Sequence, residues 1–329
     1  MSKKAVLAFD GGRGHTKVVW GTRKTRFQSV VGRYVPGKGL GHDNGVVDVV
    51  RGDLSFKAMV GKEAVLSSDT AQQGLARLRS RQDITALLAE ALWLAGQEEE
   101  ILLVMGAPES TYHTAKKDYK SWFTGAWLVN GQEYHIGETL VVTEPTGTVA
   151  SQAMDVHGNT IDEDFMKSNV AVLDIGKHSI DGTVFYYDAV KGVAIRSENE
   201  SFGIDRGSMS YVQADVQKWL LEKHRINISL HRLCKPVELG TINLDGEAVS
   251  LKEVVRKSVA SWAAYVVDVL QEKWELFNID HYLLAGGGAQ LFLEPLRVWR
   301  STLRAVENPV MSNVNGFSAI GHRYVKAKG

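Results

Sequence analysis

The sequence predicts an α/β protein of two similarly built domains, and three observations carry the prediction. Short apolar runs rich in β-branched residues stop at turn signals: AVLAFD from Ala5, ILLVMGAP from Ile101, VAVLDIG from Val170 and YLLAGGG from Tyr282. Such runs read as buried strands of a mostly parallel sheet. Longer helix-periodic stretches alternate with them. The third observation is an internal echo, since FDGGRGHTKVVW (Phe9–Trp20) and LDIGKHSIDGTVF (Leu173–Phe185) both give a strand, Asp-x-Gly, a short polar turn and a returning apolar strand. That is one β-hairpin design repeated at the head of each half of the chain. It predicts two like domains facing each other across a cleft, with function in the loops beyond the carboxyl ends of the strands.

Length and composition agree. The 329 residues suit about two domains at roughly 100–200 residues each. Hydrophobic residues make up 44% and charged residues 23%, with 38 basic against 38 acidic, which argues against disorder and against a general polyanion-binding face. No direct nucleic-acid contact is therefore expected. The single cysteine, Cys234, excludes an intramolecular disulfide and fits a reducing cytoplasm, where a lone thiol reads as structural. No apolar run approaches the ~18 residues of a membrane helix, and Val6–Phe9 is too short for a signal segment before Asp10 interrupts it. The expectation is a soluble, cytoplasmic protein without a membrane partner.

Periodicity places helices at Asp83–Ala95, about Ser110–Phe123, Arg206–His224, Ser250–Phe277, Leu291–Leu303 and about Asn315–Val325. The stretch from about Gly32 to Gly74 is glycine-rich without a helical period and suggests an inserted or peripheral subdomain. Its Arg51-Gly52-Asp53 lies between apolar runs and, as a three-residue motif, is read as chance.

The glycine loops point to phosphate. No G-x-x-x-x-G-K-[ST] occurs, and Gly12-Arg13-Gly14 lacks the third glycine and following helix of a dinucleotide fingerprint. Successive amides in a glycine turn nevertheless form an anion-binding concavity, and glycine lets the backbone approach a phosphate closely. Asp10 and Asp174 then suit a cation or its water shell, because Mg²⁺ keeps several waters and takes few protein ligands. Lys17 suits a phosphate as a point charge. An Asp-Gly turn is also an ordinary hairpin; its recurrence with the aspartate at the same strand end weighs against that reading. AGGGAQLF (Ala285–Phe292) follows a strand and opens a helix, so it suits a ribose, an adenine face or an α-phosphate, with close strand–helix packing as the competing reading.

The ordered motifs DGGRGHTK, GAPESTYH, TEPTGT, LDIGKHSIDGT, ESFGIDRGS, HYLLAGGGAQLF and NPVMSNVNGFSAIGHRY resemble, over almost the whole chain, the actin-like ATPases, most closely the bacterial ParM/StbA plasmid-segregation group. The resemblance implies an actin-like (ribonuclease H-like) fold of two similar α/β domains with a nucleotide cleft between them, each with a smaller subdomain. Domain I would comprise residues 1–166 and about 313–329, with a variable subdomain at about 32–74. Domain II would comprise 167–312, with a subdomain at about 203–270. Bound ATP (or GTP), Mg²⁺ and nucleoside triphosphate hydrolysis are implied as well.

Residue by residue, the resemblance places Asp10, Gly11, Gly12, Arg13, Gly14, His15 and Lys17 in a first phosphate loop, and Asp174, Gly176, Lys177, His178 and Ser179 in a second. Arg206 or Ser208 falls at the start of a helix bordering the nucleoside. Gly286, Gly287, Gly288 and Gln290 fall in the adenosine loop, and Asp10 and Asp174 would hold Mg²⁺ through water. Glu144, in TEPTGT, matches the residue that orients the attacking water and is implied to be catalytic together with Asp174; a positioned carboxylate suits that task. Helix N-capping ahead of Pro145 is the competing reading for Glu144. The chain departs from the family in carrying Arg13, His15, Lys177 and His178 where relatives have small hydroxyl residues. These basic side chains either add charge toward the phosphates or point to solvent.

Three functions fit this frame. A filament-forming ATPase would add subunits head-to-tail through a heterologous contact. A small-molecule, sugar-type kinase would replace the water by a substrate hydroxyl, and a chaperone-type nucleotide-binding domain would need an appended peptide-binding domain. The resemblance favours the filament, serving plasmid DNA segregation, with self-association as the main contact and DNA reached through a ParR-type adaptor, since direct binding would concentrate Lys and Arg on one face.

Overall fold

The computed structural model describes residues 4–34, 45–66, 80–96, 100–275 and 278–328. Contacts divide the chain into two units, Met1–Asp162 with Asn313–Gly329, and Glu163–Ser312.

Unit 1 is built on a nine-stranded sheet. Its strands are β1 (Ala5–Asp10), β2 (His15–Trp20), β3 (Arg23–Gln28), β4 (Val31–Arg33), β5 (Val46–Arg51), β6 (Leu54–Val60), β7 (Ile101–Ala107), β8 (Gly125–Val129) and β9 (Gln132–Thr143), in spatial order β3-β2-β1-β7-β9-β8-β5-β6-β4. β1, β7 and β9 run parallel, and the other neighbours pair antiparallel. The helices are α1 (Lys62–Leu66), α2 (Arg81–Ala95), α3 (Tyr112–Phe123), α4 (Glu144–Ala153) and, from the end of the chain, α10 (Ser312–Lys328).

Period-two alternation puts Leu7 and Phe9 of β1 with Leu103 and Met105 of β7 in one core with Leu87, Leu88 and Leu92 of α2. Val6 and Val104, on the other face, lie under α10, where a Cβ at Gly321 would come within 2.5 Å of Val6 Cγ1 and 2.8 Å of Val104 Cγ2. The Ser80–Asp83 capping box starts α2, and Gly96 in the left-handed conformation ends it.

Unit 2 repeats the plan. After α5 (Glu163–Met166) come β10 (Val170–Ile175), β11 (Ile180–Asp188), β12 (Val193–Arg196), β13 (Phe202–Ile204), α6 (Met209–His224), α7 (Leu230–Leu239), β14 (Thr241–Leu244), β15 (Glu247–Ser250), α8 (Lys252–Lys273), β16 (His281–Ala285), α9 (Ala289–Arg297) and β17 (Arg304–Ala305). The sheet order is β12-β11-β10-β16-β17, with β13 also on β11. A hairpin followed by two parallel strands (β10, β11, β16, β17) matches β1, β2, β7 and β9 of unit 1. The echo in sequence is an echo in topology.

Several expected elements move. The helix expected from Arg206 begins at Met209, because Gly207 has φ 80° and Ser208 takes the N-cap place. Ser250 closes the β14–β15 hairpin instead of opening a helix, and α8 starts at Lys252; Phe277, its expected end, lies outside the described residues. α9 begins two residues early, at Ala289, and stops at Arg297, short of Leu303. Of the 32–74 stretch, the described part carries β4, β5, β6 and α1, and its strands extend the main sheet beyond β8. Arg51-Gly52-Asp53 is the β5–β6 turn, with Gly52 at φ 55°. Its Arg51 donates to Thr124 O, and its Asp53 pairs with Arg81 at 2.9 Å.

α10 and α4 touch backbone to backbone. A Cβ at Gly316 would overlap the carbonyl of Gly147, and one at Gly147 would stand 2.5 Å from Asn313 O. Thr148 Oγ1 donates to Asn313 Oδ1 at 2.6 Å alongside. Gly316→Ala should therefore cost about 1–3 kcal/mol or more in urea unfolding. Gly287→Ala, where a Cβ meets nothing within 4 Å, should stay within about 0.5 kcal/mol of the parent chain.

Candidate functional site

In unit 1, β1 ends on a carboxylate that is 2% exposed, and the loop after it is organised by that charge. Asp10 Oδ1 accepts the Gly12 amide at 2.9 Å, and Oδ2 accepts Lys17 Nζ at 2.9 Å. The register makes Asp10 and Lys17 direct partners across the β1–β2 hairpin. Gly12 fits closely beside them: a Cβ would stand 2.9 Å from Lys17 Nζ and 3.0 Å from His15 O, so the lysine head would have to shift. From the end of β3, Ser29 props the loop: its Oγ donates to Gly12 O at 2.5 Å and shares a hydrogen bond with Thr16 Oγ1 at 2.8 Å, while its amide donates to Gly14 O at 3.1 Å. Arg13 is exposed; Gly11, Gly14 and His15 are half-buried.

Glu144 belongs to the same edge of the same sheet. It is the first residue of α4, with Pro145 after it, and the N-cap position is held by Thr143, whose hydroxyl bonds to Thr146 Oγ1 and makes no capping bond. The register sets Phe9 against Met105 and Gly106 against Val142, so Asp10 and Glu144 stand at the ends of β1 and β9 with Gly106 of β7 between them. Two strand spacings separate those ends by about 10 Å. A Cβ at Gly106 would lie 3.1 Å from Glu144 Cγ. Bare backbone at the end of β7 is what lets the Glu144 side chain lie across it.

In unit 2, three segments converge on the end of β10. The Gly176 amide donates to Ser179 O at 2.9 Å, closing the β10–β11 turn. The first turn of α6 leans on that turn, Met209 N donating to Gly176 O at 3.2 Å and Ser210 N to Lys177 O at 2.8 Å. Ser208, fully buried, donates through Oγ to Asp205 O at 3.2 Å. The Gly288 amide donates to Ile175 O at 2.9 Å, and a Cβ at Gly288 would reach within 2.5 Å of Ile175 Cγ2. Gly286, at φ 84°, packs so closely that a Cβ would overlap Asp174 Oδ1 and the carbonyl of Ile175.

Asp174, Gly176–Ser179, Ser208, Gly286 and Gly288 are thus one neighbourhood. Gly287, Gln290 and Arg206 are exposed around it, and Lys177 and His178 are half-buried. At the start of α7, burial and then the charges of Lys177 and Arg232 hold His231 below the usual histidine range.

The two hairpins share a register but differ in charge. The residue seven positions after the strand-end aspartate faces it in both: Lys17 opposite Asp10, and Asp181 opposite Asp174. Opposed residues have Cβ atoms about 4.5–5.5 Å apart. The second hairpin therefore sets two carboxylates side by side, 5% and 2% exposed. Asp181 and Ser29 escape a motif-based reading; the common spacing of seven was the signal for Asp181, and nothing in the sequence marks Ser29.

Among the described residues no group of three or more His, Cys, Asp or Glu could hold a metal ion. A divalent cation at Asp10 or Asp174 would take most of its ligands from water and phosphate, as Mg²⁺ does. No helix among the described residues is long and apolar enough to cross a membrane.

Comparison with curated protein sequences gives no match. Among solved structures, the chain is similar to a 15-stranded ParM filament from Clostridium botulinum (16% identity, 98% of this chain and 99% of that chain, TM-score 0.78). It is similar to the actin-like protein Alp7A (14%, 99% and 98%, TM-score 0.78). It is also similar to an archaeal actin homologue in complex with ADP (14%, 97% and 99%, TM-score 0.72). At these identities the likeness establishes the fold. Two family models match in succession, the N-terminal domain of actin-like proteins over residues 8–153 and the C-terminal domain of archaeal MreB-like actin homologues over residues 172–298. With one half matched by each and the actin-type topology repeated in both units, the chain belongs to the actin-like proteins.

Proposed function

We propose that this actin-like chain binds ATP with Mg²⁺, hydrolyses it, and assembles with copies of itself into filaments in the cytoplasm. One observation carries the reading: a buried aspartate ends an interior strand of each sheet and is followed by a glycine turn, in two units that share a core topology. An ordinary hairpin has no need of a buried carboxylate at that place, whereas polyphosphate recognition needs both bare amides and a charge that manages a cation. Filament assembly by a ParM from Clostridium botulinum and the ADP complex of an archaeal homologue support the reading.

The chain's own groups divide the work. Lys17, steered by Asp10, offers a cation beside the open backbone of Gly12. Asp174 and Asp181 supply a negative neighbourhood in the second unit, and Gly286 and Gly288 let the loop after β16 pack directly on Asp174 and Ile175. Mg²⁺, when bound, would neutralise charge on the β- and γ-phosphates. Glu144 accepts a hydrogen bond from the attacking water and orients it, which is most of what hydrolysis of a γ-phosphate asks of a protein. GTP is accommodated by the same phosphate chemistry. Plasmid segregation through a ParR-type adaptor is the cellular role that best fits a chain of zero net charge.

Purified protein with ATP and Mg²⁺ should scatter light and sediment as polymer, and protein without nucleotide should stay in the supernatant. Protein that binds ATP yet remains monomeric at high concentration would favour the sugar-type kinase. Glu144→Gln should slow phosphate release by about 10²-fold or more while polymer still forms; unchanged release would place the water elsewhere. Lys17→Met should lower stability by about 3–5 kcal/mol in urea unfolding, because it leaves Asp10 buried without its countercharge. Adding Asp10→Asn should recover part of that loss, and additive effects of the two substitutions would mean the pair is not coupled.

A further inference from the structure

The segment by which the chain leaves unit 1 and the helix by which it returns are fastened together around two histidines. After α4 the chain folds into a tight loop: Met154 bridges Thr160, and the Asp155 amide donates to Asn159 O at 2.9 Å. Asp155 Oδ1 accepts the amides of His157 and Asn159, each at 2.9 Å, and Oδ2 accepts Asn159 Nδ2 at 2.8 Å. This loop lies on α10. Gly158, buried at φ 74°, is seated so closely that a Cβ would come within 2.7 Å of Ala319 O and 2.8 Å of Arg323 N. Ser318 Oγ donates to Val156 O at 2.9 Å, and Lys326 Nζ to Asn159 Oδ1 at 2.7 Å.

Between these fastenings the rings of His157 and His322 meet edge-on, with centroids 5.6 Å apart. His322 is half-buried, and its Nε2 is enclosed without a hydrogen-bond partner among the described residues. The charged groups that act on His322 are Lys326 of α10 and Asp155 of the loop, while Arg323 donates to Met154 Sδ. Burial, followed by His157 and Lys326, holds His322 below the usual histidine range, and Asp155 opposes the shift.

We propose that the His157–His322 contact is an acid-released clip that ties the exit loop of unit 1 to its re-entry helix. Neutral imidazoles pack edge to face. Protonation charges the enclosed His322 ring against His157 and where Lys326 already stands, and the single carboxylate, Asp155, is engaged by the loop's own donors. The sign follows from linkage: the unfolded chain takes up the His322 proton more readily than the folded one. The clip is at full strength above about pH 6.5 and weakens as pH falls through that value toward the lower folded one. Release would free the residues up to Asp162, lengthening the tether through which the chain passes to unit 2.

Hydrogen exchange of the full chain at pH 7.5 and 5.5, corrected for the intrinsic pH dependence of exchange, tests this. Peptides covering 154–162 and the second half of α10 should lose about tenfold or more protection at pH 5.5 relative to peptides from β1 and β7. His322→Gln and His157→Gln should each retain the pH 7.5 protection at pH 5.5. Equal protection of the parent chain at both values would overturn the proposal, as would variants that lose protection in acid as the parent does. Should a variant not fold, NMR titration of His322 in the parent chain decides: a midpoint below 6.5 supports the clip, and one at or above it removes the clip.

Discussion

A carboxylate that ends a buried interior strand has to be compensated, and the two units meet that demand differently. β1 lies between β2 and β7, and β10 between β11 and β16, so neither Asp10 nor Asp174 can turn away to solvent along a sheet edge. In unit 1 the compensation is internal: Lys17 and the Gly12 amide take both carboxylate oxygens, and the loop is thereby frozen with Ser29 underneath it. In unit 2 the facing position holds Asp181, so the same architecture presents concentrated negative charge. Two copies of one hairpin thus differ at the facing position, with an ion pair in one and two carboxylates in the other.

The catalytic candidate depends on this frame at one remove. Glu144 starts α4, and its direction is set by what lies beneath: Gly106 on β7 leaves room for both the Glu144 stem and the Phe317 ring of α10. Phe317 in turn sits against Gly147, one turn into α4. Small residues at 106, 147, 316 and 321 let two helices and a sheet approach to backbone distance, where density is high and tolerance for an added methyl is low. The precision of a polar side chain at the strand end is therefore inherited from apolar packing several residues away.

Much of this was legible from the chain. Strand ends at Asp10 and Asp174 stood out because an apolar run that halts on aspartate and glycine is unusual, and its repetition identified the duplicated plan. The long amphipathic segments around α2, α3, α6 and α10 were visible through their period. What escaped had physical reasons. β9 is twelve residues long with one face only partly buried, so it lacks the dense apolar run that marked its neighbours. β14 and β15 are short, largely exposed strands next to α7, and their hairpin merged with the helical pattern on either side. Pairing across space left no trace in the line of residues: Ser29 supports Gly12 from the far end of the hairpin, and the opposition of Asp181 to Asp174 appears only once register is known.

The place of α10 bears on how the molecule comes into being. Residues 313–328 provide the layer beneath Val6 and Val104 and the partner of Gly147, yet they are synthesised after every residue of unit 2. On the ribosome, unit 2 can complete its own core while unit 1 still lacks one of its faces. This later-made helix then has to find a groove whose walls were made before unit 2 was. Contacts of such sequence separation form slowly, and until they do, the apolar underside of β1 and β7 is open to chaperones or to neighbouring nascent chains.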